Sequence, residues 1–258
     1  MDHNKAKEAF GRLLEIMDEL RVKCPWDREQ TIESIRHLSI EEVHELSDAI
    51  LVNKPDDIKK EIGDLLLHIV FYGKIADELK WFDTTDIINT LCEKLIRRHP
   101  HIYGEVQVNN ANDVMHNWEQ IKQQEKGANE PKSFLSGVPS SMPSLIKALR
   151  MQEKAARTGF DWNNKEDVLK KVWEEWDEFQ NASTSQEKQA EFGDFIFSLV
   201  NYARFEGINP DDALEATNKK FKKRFEYIEQ KARLQGFKLE DLTLQEMDVW
   251  WNEAKTIE

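Results

Sequence analysis

Two runs of acidic residues carry the chemistry of this chain. The first is Glu41-Glu42-Val43-His44-Glu45, followed after a gap by Glu61-Ile62-Gly63-Asp64. The second is Glu174-Glu175-Trp176-Asp177-Glu178, followed by Glu191-Phe192-Gly193-Asp194. Both read EExxE…ExGD. Residues three apart on an α-helix share a face. Glu42 with Glu45 and Glu61 with Asp64 therefore form carboxylate pairs on two helices, as do Glu175 with Glu178 and Glu191 with Asp194. Once such helices pack together, four acids converge and repel one another unless a cation sits among them. Oxygen-only ligands suit hard ions, so the spacing predicts Mg²⁺, with Mn²⁺ as the alternative.

Basic and aromatic residues follow each acidic run in the same order. Lys94-Leu95-Ile96-Arg97-Arg98 precedes Lys220-Phe221-Lys222-Lys223-Arg224 by 126 positions, and Trp118 with Lys122 precedes Trp251 with Lys255 by 133. Glu42 and Glu175 are also 133 apart, and Asp64 and Asp194 are 130 apart. Shared order with small length changes in the loops is the mark of a duplicated module. Alone, EExxE describes any solvated helix, and a Lys/Arg-rich helix reads as a surface face. Repeated and coupled, they describe a nucleotide site. The acids hold a metal, Lys220 and Arg224 share a helical face toward phosphate, Lys255 adds a cation, and Trp251 offers a flat face to a base.

The elements that position these groups are helical. Ten glycines, seven prolines and 33% charged residues in 258 favour helices over a turn-rich β protein. Apolar spacing predicts an opening helix over 5–21, a turn at Cys24-Pro25-Trp26-Asp27, and a short helix capped by Thr31 or Ser34. Ser39 is the expected N-cap of the first motif helix, with Glu42 completing a capping box, which gives Glu42 a purely structural alternative. The next helix runs from Asp57 to about Leu79, and its segment Leu65–Phe71 is apolar on nearly every face, so burial all round is expected. Gly63 within it points to a close approach by a helix or ligand. Further helices are expected over 84–98 and 113–126. A Pro- and Ser-containing linker over 127–144 separates an N-terminal module, 1–126, from a C-terminal one, 145–258. In the latter, helices are expected from Pro143 to 158, over 165–180, 185–205 and 211–234, and from Leu244 onward. Gly159-Phe160-Asp161-Trp162 echoes Cys24-Pro25-Trp26-Asp27.

The acidic pattern followed by Lys220-Phe221-x-x-Arg224-Phe225 and Trp251-x-x-x-Lys255 resembles the MazG family of nucleoside triphosphate pyrophosphohydrolases over nearly the whole length. Cys24-Pro25-Trp26-Asp27, Arg98-His99-Pro100-His101 and Gly159-Phe160-Asp161-Trp162 also resemble that family. The resemblance implies an all-α fold of two tandem four-helix-bundle-like modules, a homodimer, Mg²⁺ as cofactor, and a role in cleansing the nucleotide pool. It implies hydrolysis of (deoxy)nucleoside triphosphates between the α- and β-phosphates to the monophosphate and pyrophosphate. Carried over by motif, Glu175, Glu178, Glu191 and Asp194 are metal ligands and Lys171, Lys220 and Arg224 contact phosphate. Trp251 and Lys255 complete the pocket, and Glu174 orients ligands or water. Leu38 stands where the second copy has Lys171, so the set Glu42, Glu45, Glu61 and Asp64 is assigned to a structural or regulatory module and the C-terminal copy to catalysis.

Other function classes are weaker. A dimetal carboxylate oxidase uses Glu-x-x-His pairs; Glu41-x-x-His44 supplies one, but Asp177 replaces His44 in the second copy. His99-Pro100-His101 resembles a metal pair yet lacks a third ligand, and a structural turn or a phosphate contact is the better reading. A non-enzymatic helical scaffold, with acids merely solvating helices, is the remaining alternative. The net charge of −13 argues against a general nucleic-acid binder. No GxGxxG or P-loop is present. Cys24 and Cys92 match no metal spacing and read as free thiols. With no apolar run of membrane length and no signal-peptide pattern, a cytoplasmic protein without membrane contact is expected.

Overall fold

The computed structural model describes residues 1–257 apart from 111–112, 115–116, 119–120 and 122–132. The all-α expectation holds: among the described residues there are helices and no strands. The chain divides into two compact units, Met1–Ala128 and Asn129–Glu258, each carrying one copy of the acidic motif. The expected helix over 113–126 lies partly outside the described residues, and its Lys122 and residues 127–132 of the expected linker lie outside them.

In the first unit, α1 (His3–Lys23) starts at Asp2, whose carboxylate accepts the N–H groups of Asn4 and Lys5. The expected turn at Cys24–Asp27 is instead a one-turn helix, α2 (Pro25–Glu29), because Pro25 sits at its first position, where a missing N–H costs nothing. Arg21 fixes this corner. Its guanidinium donates to the Glu78 carboxylate (Nε–Oε1 3.0 Å) and to the carbonyls of Asp27 and Gln30. Thr31 caps α3 (Ile32–Leu51) in a reciprocal box with Ser34. This single helix absorbs both helices expected here. Ser39 is therefore interior, not a cap; its hydroxyl lies 3.2 Å from the Ile35 carbonyl and 2.9 Å from the Tyr72 hydroxyl. The capping role considered for Glu42 falls away.

A three-residue connection turns the chain into α4 (Pro55–Glu78), which packs on α3 and α1. The core is Met17, Ile35, Val70, Phe71 and Ile75. The middle of α4 is not buried all round as expected. Ile62, Leu66 and Ile69 form an exposed stripe at 52%, 37% and 49%, and Ile40 and Val43 on α3 are also exposed. Nor is Gly63 closely approached within the chain, since a Cβ there would meet nothing within 4 Å. α5 (Thr84–Arg98) and the short α6 (Pro100–Tyr103) follow.

The second unit repeats the plan. α7 (Ser144–Ala156) begins after Pro143, which is its N-cap and not its first helical residue. α8 (Lys165–Asn181) is capped by Asn164, and α9 (Ser185–Phe205) by a Thr184–Glu187 box. α8 packs on α9, and α7 on α9 and on α10 (Pro210–Gln235). Gly236 closes α10 at φ +75°, the left-handed conformation that glycine adopts without penalty. After a 3₁₀ turn, Leu239–Asp241, α11 (Leu244–Ile257) lays Trp250 against Ile228 and Ala232. The exposed stripe recurs as Phe192, Ile196 and Leu199, with Trp173 and Trp176 on α8. Gly193 likewise has open space where a Cβ would stand.

Candidate active site

In each unit the paired helices bring three carboxylates together. Glu42 and Glu45 on α3 meet Glu61 on α4, and Glu175 and Glu178 on α8 meet Glu191 on α9; within each trio one oxygen per residue lies within 4.8 Å of the others. The i,i+3 spacing puts each pair on one face of its helix, and that face meets the neighbouring helix. Asp64 and Asp194 are adjacent to these trios but outside them. Their charges still reach Glu42 and Glu191. Desolvation raises the Glu42 carboxyl above the usual range, with Asp64 and Glu45 adding repulsion. Desolvation, then Glu178 and Asp194, does the same for Glu191. The donors are all oxygen, and the Glu61 Oε2 is buried without a partner. Both trios thus fit a hard divalent ion. His44 is exposed and belongs to neither trio, which removes the Glu-x-x-His basis of the oxidase reading.

The cations differ between the units. Lys171 Nζ lies 2.7 Å from both Glu174 and Glu175, and these bonds, Glu174 first, push its pKa well up. Glu174 therefore holds Lys171. In the first unit, Leu38 occupies the Lys171 position, and Lys60 on α4 supplies the charge instead, 3.0 Å from Glu61 and 3.7 Å from Asp64. Ala190 is the Lys60 equivalent in the second unit. Lys60 went unnoticed in the sequence, although its i,i+4 spacing to Asp64 was a usable cue.

Beside the second trio lies a cavity of about 660 Å³ lined by Lys171, Glu175 and Asp194 together with Gln152, Trp162 and Asn201. Arg204, also in its wall, forms a two-pronged pair with Asp161 and donates to Asn201 Oδ1. No motif spacing links Gln152, Asn201 and Arg204, so none of them is recognisable from the sequence as a site residue.

Lys220, Arg224, Trp251 and Lys255 do not line that cavity. They sit on α10 and α11, where the Arg224 guanidinium lies 5.4 Å from the Trp251 ring and the Phe221 ring lies 5.2 Å from it. Lys255 donates to Asn252 at 3.0 Å. His99 Nδ1 lies 2.6 Å from the Leu95 carbonyl and its ring 5.6 Å from that of His101; neither belongs to a metal-ligand cluster among the described residues.

Comparison with known proteins places this geometry. The chain is 41% identical over 248 residues to the nucleoside triphosphate pyrophosphohydrolase/pyrophosphatase MazG of Thermotoga maritima, covering 95% of each. It is 38% identical to the nucleoside triphosphate pyrophosphohydrolase of Escherichia coli strain K12, covering 95% of this chain and 97% of that one. The chain belongs to the MazG family. The MazG nucleotide pyrophosphohydrolase domain matches residues 30–103, which hold the first acidic copy. A solved MazG-related protein from Thermotoga maritima is 27% identical, with a TM-score of 0.39, covering 43% of this chain and 97% of its own. These relatives are named nucleoside triphosphate pyrophosphohydrolases, and this chain is a member of that enzyme family.

Proposed function

We propose that the protein hydrolyses (deoxy)nucleoside triphosphates between the α- and β-phosphates, releasing the nucleoside monophosphate and pyrophosphate, and that the second unit carries the reaction. The observation that carries this reading is the Glu175, Glu178 and Glu191 trio beside a nucleotide-sized cavity that also takes Lys171 and Asp194. The relatives' names give the reaction class.

Glu175, Glu178 and Glu191, with Asp194 beside them, would hold Mg²⁺ or Mn²⁺, which would neutralise phosphate charge and acidify water. Lys171, held by Glu174 and Glu175, is placed to neutralise the phosphate oxygens as charge develops. Water adds across the anhydride. Its oxygen bonds to the α-phosphorus, the bond from that phosphorus to the bridging oxygen breaks, pyrophosphate departs, and one proton is released through the carboxylate cluster.

Lys220, Arg224 and Lys255 neutralise the remaining phosphate charge, with Trp251 bracing the Arg224 guanidinium. Since this group does not line the cavity of its own chain, we assign a homodimer in which one protomer's group serves the other's trio. The exposed stripes repeated on α4 and α9, and the open space at Gly63 and Gly193, support such an interface. The first unit is the structural or regulatory copy. We place the enzyme in the cytoplasm, cleansing the nucleotide pool; Cys24 and Cys92 are free thiols, and no described helix is long and apolar enough to cross a membrane.

Product analysis after incubation with a mixture of NTPs and dNTPs, with and without Mg²⁺, tests the reading. Monophosphate and pyrophosphate formed only with the ion are expected. Diphosphate with orthophosphate would overturn the cleavage position, and no turnover would favour the scaffold. For the shared site, mixing Glu178→Ala with Arg224→Ala protomers should restore activity that neither has alone. No restoration in verified heterodimers would refute the exchange between protomers.

A further inference from the structure

The wall of the second unit's cavity that is not acidic is aromatic and amide in character. Trp162 and Phe160 offer flat apolar faces of the kind on which bases stack. The same cavity is lined by two side-chain amides, Gln152 and Asn201.

Gln152 is 93% buried, being 7% exposed. Its Nε2 donates to the Phe197 carbonyl at 2.8 Å. A carbonyl oxygen can only accept, so this bond fixes which end of the amide is which. Gln152 Oε1 is then a buried acceptor, and it has no partner. Asn201 is oriented from the other side. Its Oδ1 accepts from Arg204 Nε at 3.1 Å and Nη2 at 2.8 Å, while Asp161 braces the guanidinium. That leaves the Asn201 Nδ2 group to donate. One unused acceptor and one donor, on neighbouring helices in one cavity wall, complement a base edge that presents an N–H beside an acceptor.

We infer that this wall is the nucleobase subsite of the hydrolase proposed above, with Gln152 selecting bases that present an N–H donor and Asn201 donating to the adjacent acceptor. The inference rests on that function for the triphosphate but locates the base independently, from an unpartnered buried atom. It also moves the base away from Trp251, whose ring already stands against Arg224 and Phe221. A buried acceptor left unpaired penalises an analogue that lacks the donor.

Matched nucleotides differing by one amino group provide the test. Purified full-length protein is assayed with ATP against purine riboside 5′-triphosphate and with CTP against pyrimidin-2-one riboside 5′-triphosphate. Calorimetric binding of the four corresponding monophosphates is measured in parallel. For at least one pair, removing the amino group should lower kcat/KM about 10- to 100-fold, through KM and with little change in kcat. In Gln152→Met the ratio within that pair should collapse toward one. A wild-type protein that treats both pairs alike in turnover and binding overturns the inference, whether or not the variant folds. So does a Gln152→Met protein that keeps the discrimination. If no triphosphate is hydrolysed but the amino-bearing monophosphates bind more tightly, the subsite stands and the hydrolase reading fails. If none of the monophosphates binds, the subsite fails.

Discussion

Phe71 and Asn201 occupy the same place in the repeat, 130 positions apart, seven residues beyond the ExGD aspartate. Phe71 is 2% exposed and closes the first unit's core with Met17, Ile35, Val70 and Ile75. Asn201 lines a cavity of about 660 Å³. His68 and Ser198 differ in the same way. His68 is buried with Nδ1 unpartnered, whereas Ser198 bonds the Phe195 carbonyl and forms part of the cavity wall. Both units keep the acidic trio, but this position holds a buried ring in the first and a cavity-lining amide in the second. Three oxygen donors can hold an ion in either unit; in the second, a cavity of about 660 Å³ that Lys171 also lines lies beside them.

The contrast breaks most sharply at the trios. Glu178→Ala should lower turnover by about 10³-fold, on the order of 4 kcal/mol, while Glu45→Ala changes it less than about threefold. Steady-state rates decide this, with folding and dimerisation checked by circular dichroism and light scattering. A Glu45→Ala enzyme that is dead but folded would reverse the assignment of the two units. Phe71→Ala should destabilise the first unit by about 3–5 kcal/mol through cavity formation, visible as an early transition in calorimetry. Asn201→Phe, which copies the first unit into the second, should raise KM about 100-fold, roughly 2.7 kcal/mol, without comparable loss of stability. Unchanged KM would show that the cavity does not take substrate.

Smaller effects follow from charge. Glu191 and Glu42 have raised carboxyl pKa values, so without an ion the native state binds more protons than the unfolded one, and stability falls as pH rises through the carboxylate range. Saturating Mg²⁺ should reverse this. A gain of about 2 kcal/mol is expected at pH 7.5, shrinking at pH 5 as protons compete. A shift in Tm independent of pH would argue against these acids as ligands. Glu78 has the opposite sign: the Arg21 guanidinium bonded to it holds its carboxyl below the usual range. Its contribution is present above that range and lost as pH falls through the folded value. Glu78 is more than a third exposed, so Glu78→Gln should cost only about 1 kcal/mol near neutral pH, and less in acid, by chemical denaturation. The second unit should be unaffected.

Much of the helical plan was legible because apolar spacing and cap residues are local. Ser185–Phe205 and Thr84–Arg98 follow directly from their caps and periodicity. Ser39 misled because a serine before Glu42 satisfies a capping pattern equally well inside a continuous helix, and only the Thr31–Ser34 box upstream decides between them. The apolar middle of α4 suggested full burial, but an apolar stripe does not reveal whether its cover comes from the same chain. Gln152, Asn201 and Arg204 were invisible for a related reason. Their roles depend on which helices meet, and amides and guanidinium groups on helices are ordinary surface residues until something buries them.

The sequence by itself determined the all-helical class, the duplication, and the two sets of carboxylates spaced to converge. These depend on period and order along the chain, which short-range sterics and helix geometry translate directly into faces. Tertiary structure alone decided which acids meet, which lysine answers them, and which side chains line the cavity beside the second trio. Those depend on side chains from different helices competing for the same volume: a buried phenyl ring in one unit, an asparagine held open by Arg204 in the other.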